Sequence, residues 1–189
     1  MNIQKLALIF VSLMASAMAH ASNLSNQLES SEYVLLMRHT LAPGVGDPAN
    51  YRRDDCKTQR NLSAEGRLQA VAVGNWLKAQ DIKQAHVYSS PWCRCKDTAS
   101  LLKFGQYQIE PSLASFFDEM HKAKERTQEL EAFITEKMKT KGSQALILVT
   151  HHVNIFEYMG ENIASGDMVL AKVDGRGRMV SYKLIPRPN

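Results

Sequence analysis

Two uninterrupted apolar runs, Tyr33–Met37 and Ala145–Val149, constrain the fold more than any other feature of the chain. A strand without polar alternation is typical of a parallel sheet that is buried on both faces. Arg38 and His39 follow the first run directly, and His151 follows the second run by one residue. Because the carboxyl ends of parallel strands meet at one sheet edge, where α/β folds build their sites, both histidines are expected there.

A third motif is expected to bring another arginine to the same edge. Ala85–Ser89 has the pattern of a short strand, and Arg94 follows it by five residues. A guanidinium matches phosphate oxygens, and a cation in the first turn of a helix opposes the helix dipole, so a bound anion explains Arg94 better than helix stability does. Two histidines and two arginines predict a phosphate pocket in which one imidazole is free to attack, without a metal or a cofactor.

Ser63 is a good N-cap, and the helix after it is expected to run to Ala79. Leu68, Ala72 and Trp76 recur every four residues within this stretch, with Val73 and Leu77 beside them. The spacing predicts that they form the apolar stripe of the helix.

Further helices are predicted from Arg94 or Cys95, over Arg126–Thr140 and over Val153–Met159. Two final strands, 169–173 and 180–185, are separated by a glycine-containing turn signal and are expected to add an antiparallel hairpin. Strands that alternate with helices predict an α/β fold, here a three-layer α/β/α sandwich with a mostly parallel sheet.

Residues 1–21 have the composition of a cleaved secretory signal. Lys5 precedes the apolar run 6–19, which is too short to span a bilayer core of about 30 Å comfortably. Cleavage is expected before Ser22, with a cut after Ala19 and an uncleaved anchor as the alternatives. Residues 22–189 are then expected to form one globular domain in the periplasm of a Gram-negative source, without stable membrane insertion.

The charge balance favours a small anionic ligand over a nucleic acid. The chain has 23 Lys and Arg against 19 Asp and Glu, a net charge of +4. Removing residues 1–21, with one lysine and no acid, leaves a net charge of +3. No basic stripe of the kind that binds nucleic acid stands out in the sequence.

Three cysteines, Cys56, Cys93 and Cys95, would meet an oxidising environment after export, which favours one disulfide. Three pairings can be drawn. The pair Cys56–Cys93 is favoured because both residues flank the expected site, and their bridge would join the loop before the Ser63 helix to the loop that carries Arg94. Cys95 would then be a free, buried thiol.

The three motifs together resemble the histidine phosphatase superfamily, whose fold is phosphoglycerate mutase-like. Arg38-His39 after one strand, Arg94 after Ser-Ser-Pro, and Thr150-His151 after another strand occur in the order that the family has. Segments 61–67 and 96–99 add to the resemblance, which covers nearly the whole chain after residue 21. Among exported members, the layout is similar to that of the lipopolysaccharide core heptose phosphatases.

The resemblance implies that His39 is the nucleophile and forms a phosphohistidine intermediate. A neutral imidazole, with its usual pKa of about 6.5, has a free lone pair at neutral pH, and a covalent route divides one difficult displacement into two easier ones. Arg38 and Arg94 would clamp the phosphate, and His151 would donate a hydrogen bond to it. Thr40 replaces the glycine of many family members, and its hydroxyl is expected to contact phosphate or to cap the strand.

Two further residues are secondary candidates for substrate binding. Arg60 precedes the Ser63 helix and is expected to touch the part of the substrate beyond the phosphate. Asn154 follows His151 closely and is expected to orient either loop backbone or ligand. A purely structural role is the alternative for both residues.

The leaving oxygen needs a proton donor, and Phe116-Phe117-Asp118-Glu119 lies where the family carries its acid. Burial beside two phenylalanines would raise the pKa of a carboxyl group there and keep it protonated. Glu119 is favoured over Asp118 for this role. The alternative is that both carboxylates are solvated and that the acid comes from elsewhere.

The signal segment and the family resemblance together imply an exported phosphomonoesterase, and the similarity to heptose phosphatases suggests a phosphorylated sugar of the cell envelope as substrate. One alternative is a non-catalytic module on the same fold that binds phosphate or a phosphoglycan. The other is a phosphotransferase or mutase that passes the phosphoryl group to an acceptor other than water. The chain lacks the longer insertions of glycolytic mutases, which counts against the mutase.

Overall fold

The computed structural model describes residues 24–189, so the predicted signal segment 1–21 lies outside the described residues. The described residues form six strands, namely β1 (Tyr33–Arg38), β2 (Ala85–Ser89), β3 (Tyr107–Ile109), β4 (Ala145–Thr150), β5 (Met168–Val173) and β6 (Met179–Ile185). Their α-helices are α1 (Leu24–Glu29), α2 (Ala64–Ala79), α3 (Cys93–Leu101), α4 (Ala123–Thr140) and α5 (His152–Met159). Short 3-10 turns occur at Cys56–Thr58, Pro111–Leu113 and Phe117–Lys122. No helix within residues 24–189 has the length and apolar character needed to cross a membrane.

The six strands form one sheet in the order β3-β2-β4-β1-β5-β6. Strands β3, β2, β4 and β1 are parallel, whereas β5 pairs antiparallel with both β1 and β6. The prediction of a mostly parallel sheet with an antiparallel terminal hairpin is therefore confirmed. Strands β1 and β4 are direct neighbours, with Arg38 opposite Thr150. The next residues in each chain segment, His39 and His151, consequently emerge side by side at the carboxyl edge.

Helices cover both faces of this sheet. Alternate residues of β1 point to opposite sides: Leu35 and Met37 belong to a core with residues of α1, α2 and α3, whereas Val34 and Leu36 belong to a core with residues of α4 and α5. Burial on both sides explains why the β1 and β4 sequences are apolar without interruption. The predicted three-layer α/β/α sandwich is confirmed.

Helix α2 has the bounds that the sequence predicts, and Val73 and Leu77 of its predicted apolar side are fully buried, but one predicted position is exposed. Oγ of Ser63 accepts a hydrogen bond from the backbone N–H of Gly66 at 2.9 Å and caps the helix. Leu68 is 72% exposed, so its predicted place in the apolar stripe is wrong. A Cβ atom on Gly74 would lie only 2.4 Å from the carbonyl oxygen of Leu102. The helix thus packs through a small residue against the end of α3, which leaves Leu68 on the solvent side.

Three other helices begin earlier than predicted, among them α5, which begins at His152, one residue before Val153. Helix α3 begins at Cys93, one residue before Arg94, and α4 begins at Ala123, three residues before Arg126. The residues at the N-cap positions, Trp92 and Lys122, make no side-chain capping hydrogen bond. Without a capping residue, nothing in the sequence marks these starts.

Cys56 and Cys93 form a disulfide, with their Cα atoms 5.7 Å apart, as the favoured pairing predicts. The bridge joins the turn Cys56–Thr58 to the first residue of α3. A second link runs beside it, since Oε1 of Gln59 accepts a hydrogen bond from the backbone N–H of Cys93 at 2.9 Å. Cys95 is a free, buried thiol. The loop between β1 and α2 is therefore anchored next to Arg94.

Candidate active site

His39 directly follows β1 and is fixed by the neighbouring strand. Its backbone N–H donates to the carbonyl oxygen of Thr150 at 3.0 Å, and the residue is only 2% exposed. Nδ1 lies 2.8 Å from the carbonyl oxygen of Thr40. Because a carbonyl oxygen can only accept, Nδ1 carries the proton and Nε2 keeps its lone pair. This is the tautomer in which Nε2 is able to attack phosphorus.

The imidazole of His39 is neutral because its pKa is lowered from 6.5 to about 3. The largest cause is burial, which disfavours the charged form, and the positive charge of Arg94 acts in the same direction. The hydrogen bond to Thr40 has the opposite, smaller effect. The His39 ring is therefore neutral from weakly acidic to neutral pH.

Arg94 is held between a carboxylate and an imidazole. Its Nη1 donates to both carboxylate oxygens of Asp47, at 2.9 and 3.0 Å, and the two side chains are only 4% and 5% exposed. Its Nη2 lies 3.3 Å from Nδ1 of His151, which must accept this hydrogen bond because a guanidinium has only donors. The guanidinium is thereby fixed before any ligand arrives, which is the preorganisation that stabilises a charged transition state.

Asp47 is the main residue of the site that the sequence analysis misses. Its carboxylate also accepts hydrogen bonds from Nε1 of Trp92 and from the backbone N–H of Arg60, both at 3.0 Å. Gly44 and Gly46 have φ values of 91° and 67°, which a glycine adopts without strain, so the loop turns sharply just before Asp47. In the sequence, Asp47 is one acidic residue in a Gly- and Pro-rich stretch, a pattern that predicts a loop and nothing more.

His151 lies beside His39, with ring centroids 5.5 Å apart. Since its Nδ1 accepts from Arg94, its Nε2 carries the proton and donates to Oγ of Ser90 at 2.7 Å. The pKa of His151 is well below 6.5, chiefly because of burial, and Arg94 adds to this effect. Both ring nitrogens are engaged by protein groups, so in this structure His151 orients Arg94 instead of offering a free N–H to a phosphate.

A cavity of about 290 Å³ opens over these groups. Six of the predicted site residues line it, namely Arg38, His39, Arg60, Arg94, Asp118 and His151. Asp47 and Trp92 complete its polar wall, and Val45 and Phe117 contribute apolar surface. Three guanidinium groups thus surround the neutral imidazole of His39, an arrangement that attracts an anionic ligand.

The other two arginines of the cavity are held by backbone carbonyl oxygens. Nη1 of Arg38 donates to Ile163 at 2.7 Å. Nε of Arg60 donates to Gly46 at 2.7 Å, and its Nη1 donates to Ala42. A carbonyl oxygen positions a cation without cancelling its charge, so both guanidinium groups keep their full charge at the cavity.

Two residues that were predicted to contact the ligand do not line the cavity. The hydroxyl of Thr40 is buried and lies 3.2 Å from Oγ1 of Thr98, so it packs inside the protein instead of facing the cavity. Nδ2 of Asn154 donates to the carbonyl oxygen of Ala114 at 2.9 Å. Asn154 therefore orients loop backbone, which is one of its two predicted roles, and that loop leads to Asp118.

Asp118 lines the cavity and Glu119 does not. The side chain of Glu119 is half exposed and forms an ion pair with Lys122. The hydrogen bond in this pair lowers the pKa of Glu119, so the predicted rise in its pKa is wrong. Only Phe116 is buried, whereas Phe117 is 47% exposed, and the expected apolar shell is therefore incomplete. Asp118 replaces Glu119 as the candidate acid.

His152 lines the cavity together with His151, although adjacent residues in an extended strand would point to opposite faces. The reason is that His152 is already the first residue of α5. Its Nε2 lies 2.5 Å from Oδ1 of Asn162. Within residues 24–189, no group of three or more His, Cys, Asp or Glu side chains is arranged to hold a metal ion.

Several solved structures share this fold at low sequence identity. The protein histidine phosphatase SixA complexed with tungstate is 18% identical, with a TM-score of 0.59, over 82% of this chain and 97% of that chain. A phosphoserine phosphatase from Entamoeba histolytica, in complex with 3-phosphoglyceric acid, is 13% identical, with a TM-score of 0.59, over 81% and 96%. A mycobacterial glucosyl-3-phosphoglycerate phosphatase is 13% identical, with a TM-score of 0.60, over 84% and 99%.

The sequence itself matches a family model. The model of the histidine phosphatase superfamily, branch 1, covers residues 34–138, more than half of the chain. The matched segment contains Arg38, His39, Arg94 and Asp118. No curated protein sequence matches the chain significantly. Together with the shared fold and the buried His39–Arg94 site, the family match means that the chain belongs to the histidine phosphatase superfamily, branch 1.

Proposed function

We propose that the protein is a phosphomonoesterase that works through a phosphohistidine on His39. The observation that carries this proposal is the state of that imidazole. It is buried and neutral, its Nδ1–H donates to Thr40, and its Nε2 is left as the nucleophilic atom at a cavity with three guanidinium groups. When Nε2 is phosphorylated the ring becomes positively charged, and the carbonyl oxygen of Thr40 stabilises that charge.

In the first step, Nε2 of His39 attacks phosphorus, and the ester P–O bond breaks as the N–P bond forms. The leaving oxygen takes a proton from the carboxyl group of Asp118. In the second step, the Asp118 carboxylate takes a proton from water, whose oxygen attacks phosphorus while the N–P bond breaks. Inorganic phosphate leaves, and the neutral His39 and the protonated Asp118 are restored.

The fixed charges suit a phosphate ester. Arg38, Arg60 and Arg94 bring three positive charges, and the buried Asp47 carboxylate cancels one of them. The remaining charge of about +2 balances the charge of a phosphomonoester, which carries between 1.5 and 2 negative charges near pH 7. Charge balance of this kind favours a phosphate monoester over a diester, which has only one negative charge.

The compartment and the substrate belong to the same proposal. The pattern of residues 1–21 favours export to a periplasm, and the Cys56–Cys93 disulfide is of the kind that persists in oxidising compartments. An exported phosphatase of this family suggests a phosphorylated sugar of the cell envelope as substrate. A reporter protein fused behind residues 1–21 tests the export, because it should reach the periplasm only when the segment is present.

Hydrolysis of phenyl phosphate in the presence of a chelator tests the activity. Every step above uses groups of the chain itself, so turnover is expected to resist the chelator. His39→Ala is expected to lose about 10³-fold or more, the scale seen when a catalytic nucleophile is removed. Absence of turnover from the folded parent protein on aryl, sugar and alkyl phosphates would instead support a module that only binds phosphate.

A further inference from the structure

A second cavity adjoins the one that contains His39. It measures about 370 Å³, and it shares Trp92, Ser115 and Asp118 with the first cavity. Its other walls come from the loop between β1 and α2, through Tyr51 and Arg53, and from the segment that leads into α4. A substrate whose phosphate lies over His39 would therefore extend past Trp92 into this second space.

Cations dominate the lining of the second cavity. Arg53, Lys122 and Arg126 face it, against the carboxyl groups of Asp118 and Glu119. Three cationic side chains against two carboxyl groups leave the lining with an excess of positive charge.

Among these three cations, Arg53 is the best placed to bind a ligand. Lys122 pairs with Glu119, and Arg126 pairs with Glu129 at 2.7 Å. Arg53 forms no ion pair with any residue in the range 24–189, and its guanidinium carbon lies 5.8 Å from the centroid of the Trp92 ring. Stacking on an indole holds the group in place while leaving its N–H donors unused.

Resting on the proposed phosphomonoesterase function, we propose that the second cavity binds another anionic group of the same substrate, held by Arg53 and Lys122. The preferred substrate is then a phosphomonoester whose leaving group carries a carboxylate or a second phosphate. Trp92 lines both cavities, and its ring lies 5.4 Å from the His151 ring and 5.8 Å from the Arg53 guanidinium carbon. The two anionic groups of the substrate would therefore lie on either cavity's side of the shared Trp92 wall.

Matched substrate pairs test this inference. Glucose 1,6-bisphosphate is compared with glucose 6-phosphate, and 4-carboxyphenyl phosphate with phenyl phosphate. The parent protein is expected to prefer the doubly anionic member by about tenfold in kcat/KM, the combined effect of two exposed ion pairs. The first pair reports on a phosphate and the second on a carboxylate, so the larger ratio identifies the group. The preference should also fall as the salt concentration rises.

Substitutions then locate the effect. Arg53→Gln and Lys122→Gln should each reduce the ratio within a pair, and the double variant should bring it close to one. Lys124→Gln is the matched control, because Lys124 is an exposed lysine of α4 that lines neither cavity. A parent ratio near one for both pairs, or a ratio that survives in the double variant, would overturn the inference.

Binding to His39→Ala separates this inference from the proposed function. Calorimetry on that variant compares the dissociation constants of the same substrates without turnover. If the parent protein hydrolyses no substrate but His39→Ala binds the doubly anionic members about tenfold more tightly, the proposed function fails and the second anion site stands. Equal dissociation constants within each pair overturn the second anion site, whatever the activity.

Discussion

Both carboxylate oxygens of Asp47 accept hydrogen bonds from the same guanidinium nitrogen of Arg94, at 2.9 and 3.0 Å, in the wall of the cavity that contains His39. Hydrogen bonds to charged groups contribute about 1.5–3 kcal/mol each. Asp47→Ala should free Arg94 to move, so kcat/KM for phenyl phosphate is expected to fall about 10- to 100-fold. Asp47→Asn keeps one acceptor oxygen and should lose less.

Asp54→Ala is the matched control for this prediction. Asp54 lies in the same loop, but its side chain is 88% exposed and its ion pair with Arg52 is long, at 3.9 Å. It should therefore have almost no effect on kcat/KM. A folded Asp47→Ala protein with parental kcat/KM would show that Asp47 does not position Arg94.

Asp118, and not the neighbouring Glu119, is the candidate proton donor for the leaving oxygen. Asp118→Asn removes the proton donor, and kcat for glycerol 3-phosphate should fall about 10²- to 10⁴-fold. The loss should be much smaller for 4-nitrophenyl phosphate, because its leaving anion is stable without a proton. Glu119→Gln changes an exposed residue and should stay within about twofold of the parent.

The leaving-group comparison separates acid catalysis from simple misfolding. A misfolded variant loses activity on both substrates alike, whereas loss of an acid spares the good leaving group. A large loss in Glu119→Gln together with an active Asp118→Asn would contradict the assignment of Asp118.

The lowered pKa of His39 predicts that its ring does not titrate in the usual range. An ordinary imidazole gains a proton as the pH falls through about 6.5. His39, with a pKa of about 3, should stay neutral from pH 7.5 down to pH 4.5. Ring-nitrogen NMR should show a constant Nδ1–H tautomer over this range, with the signal assigned by its absence from His39→Gln. A titration midpoint between pH 6 and 7 would refute the neutral, buried nucleophile.

The disulfide predicts both a thiol count and a stability change. Without reductant, the unfolded protein should show one free thiol, Cys95, and the native protein should show none that reacts rapidly. Cys95 is buried, and burial raises its pKa to about 12. The double variant Cys56→Ser/Cys93→Ser should lose about 2–4 kcal/mol of unfolding free energy, a fall in Tm of about 4–16 °C in calorimetry. Three free thiols in the parent protein would contradict the bridge.

The parts of the fold that the sequence predicted well are those with a repeating pattern. The apolar runs of β1 and β4 are buried on both faces, and the parallel pairing of these strands places His39 and His151 at one edge. The start of α2 was also predictable, since Ser63 provides a side-chain cap. Regular elements carry a periodic signal because their side chains face a core at fixed intervals.

The errors lie where the backbone is irregular or where packing is set by another element. Asp47 reaches Arg94 only because its loop turns at Gly44 and Gly46, and no periodicity reports such a turn. Glu119 and Asp118 are adjacent in a short 3-10 segment, so the choice between them depends on how that segment is oriented. The spacing of Leu68 predicts a core residue. Its side chain is exposed because the close approach of Gly74 to α3 determines how the helix is rotated.

In the proposed mechanism, His39 carries the phosphoryl group between the two steps. Rapid mixing with 4-nitrophenyl phosphate, followed by a quench in alkali to preserve phosphohistidine, allows peptide mass spectrometry to locate the group. A phosphoryl group on His39 in the parent protein, formed as fast as nitrophenol is released and missing from His39→Ala, is the predicted result. Turnover with no phosphorylated His39, or full activity in His39→Ala, would show that His39 does not carry the phosphoryl group.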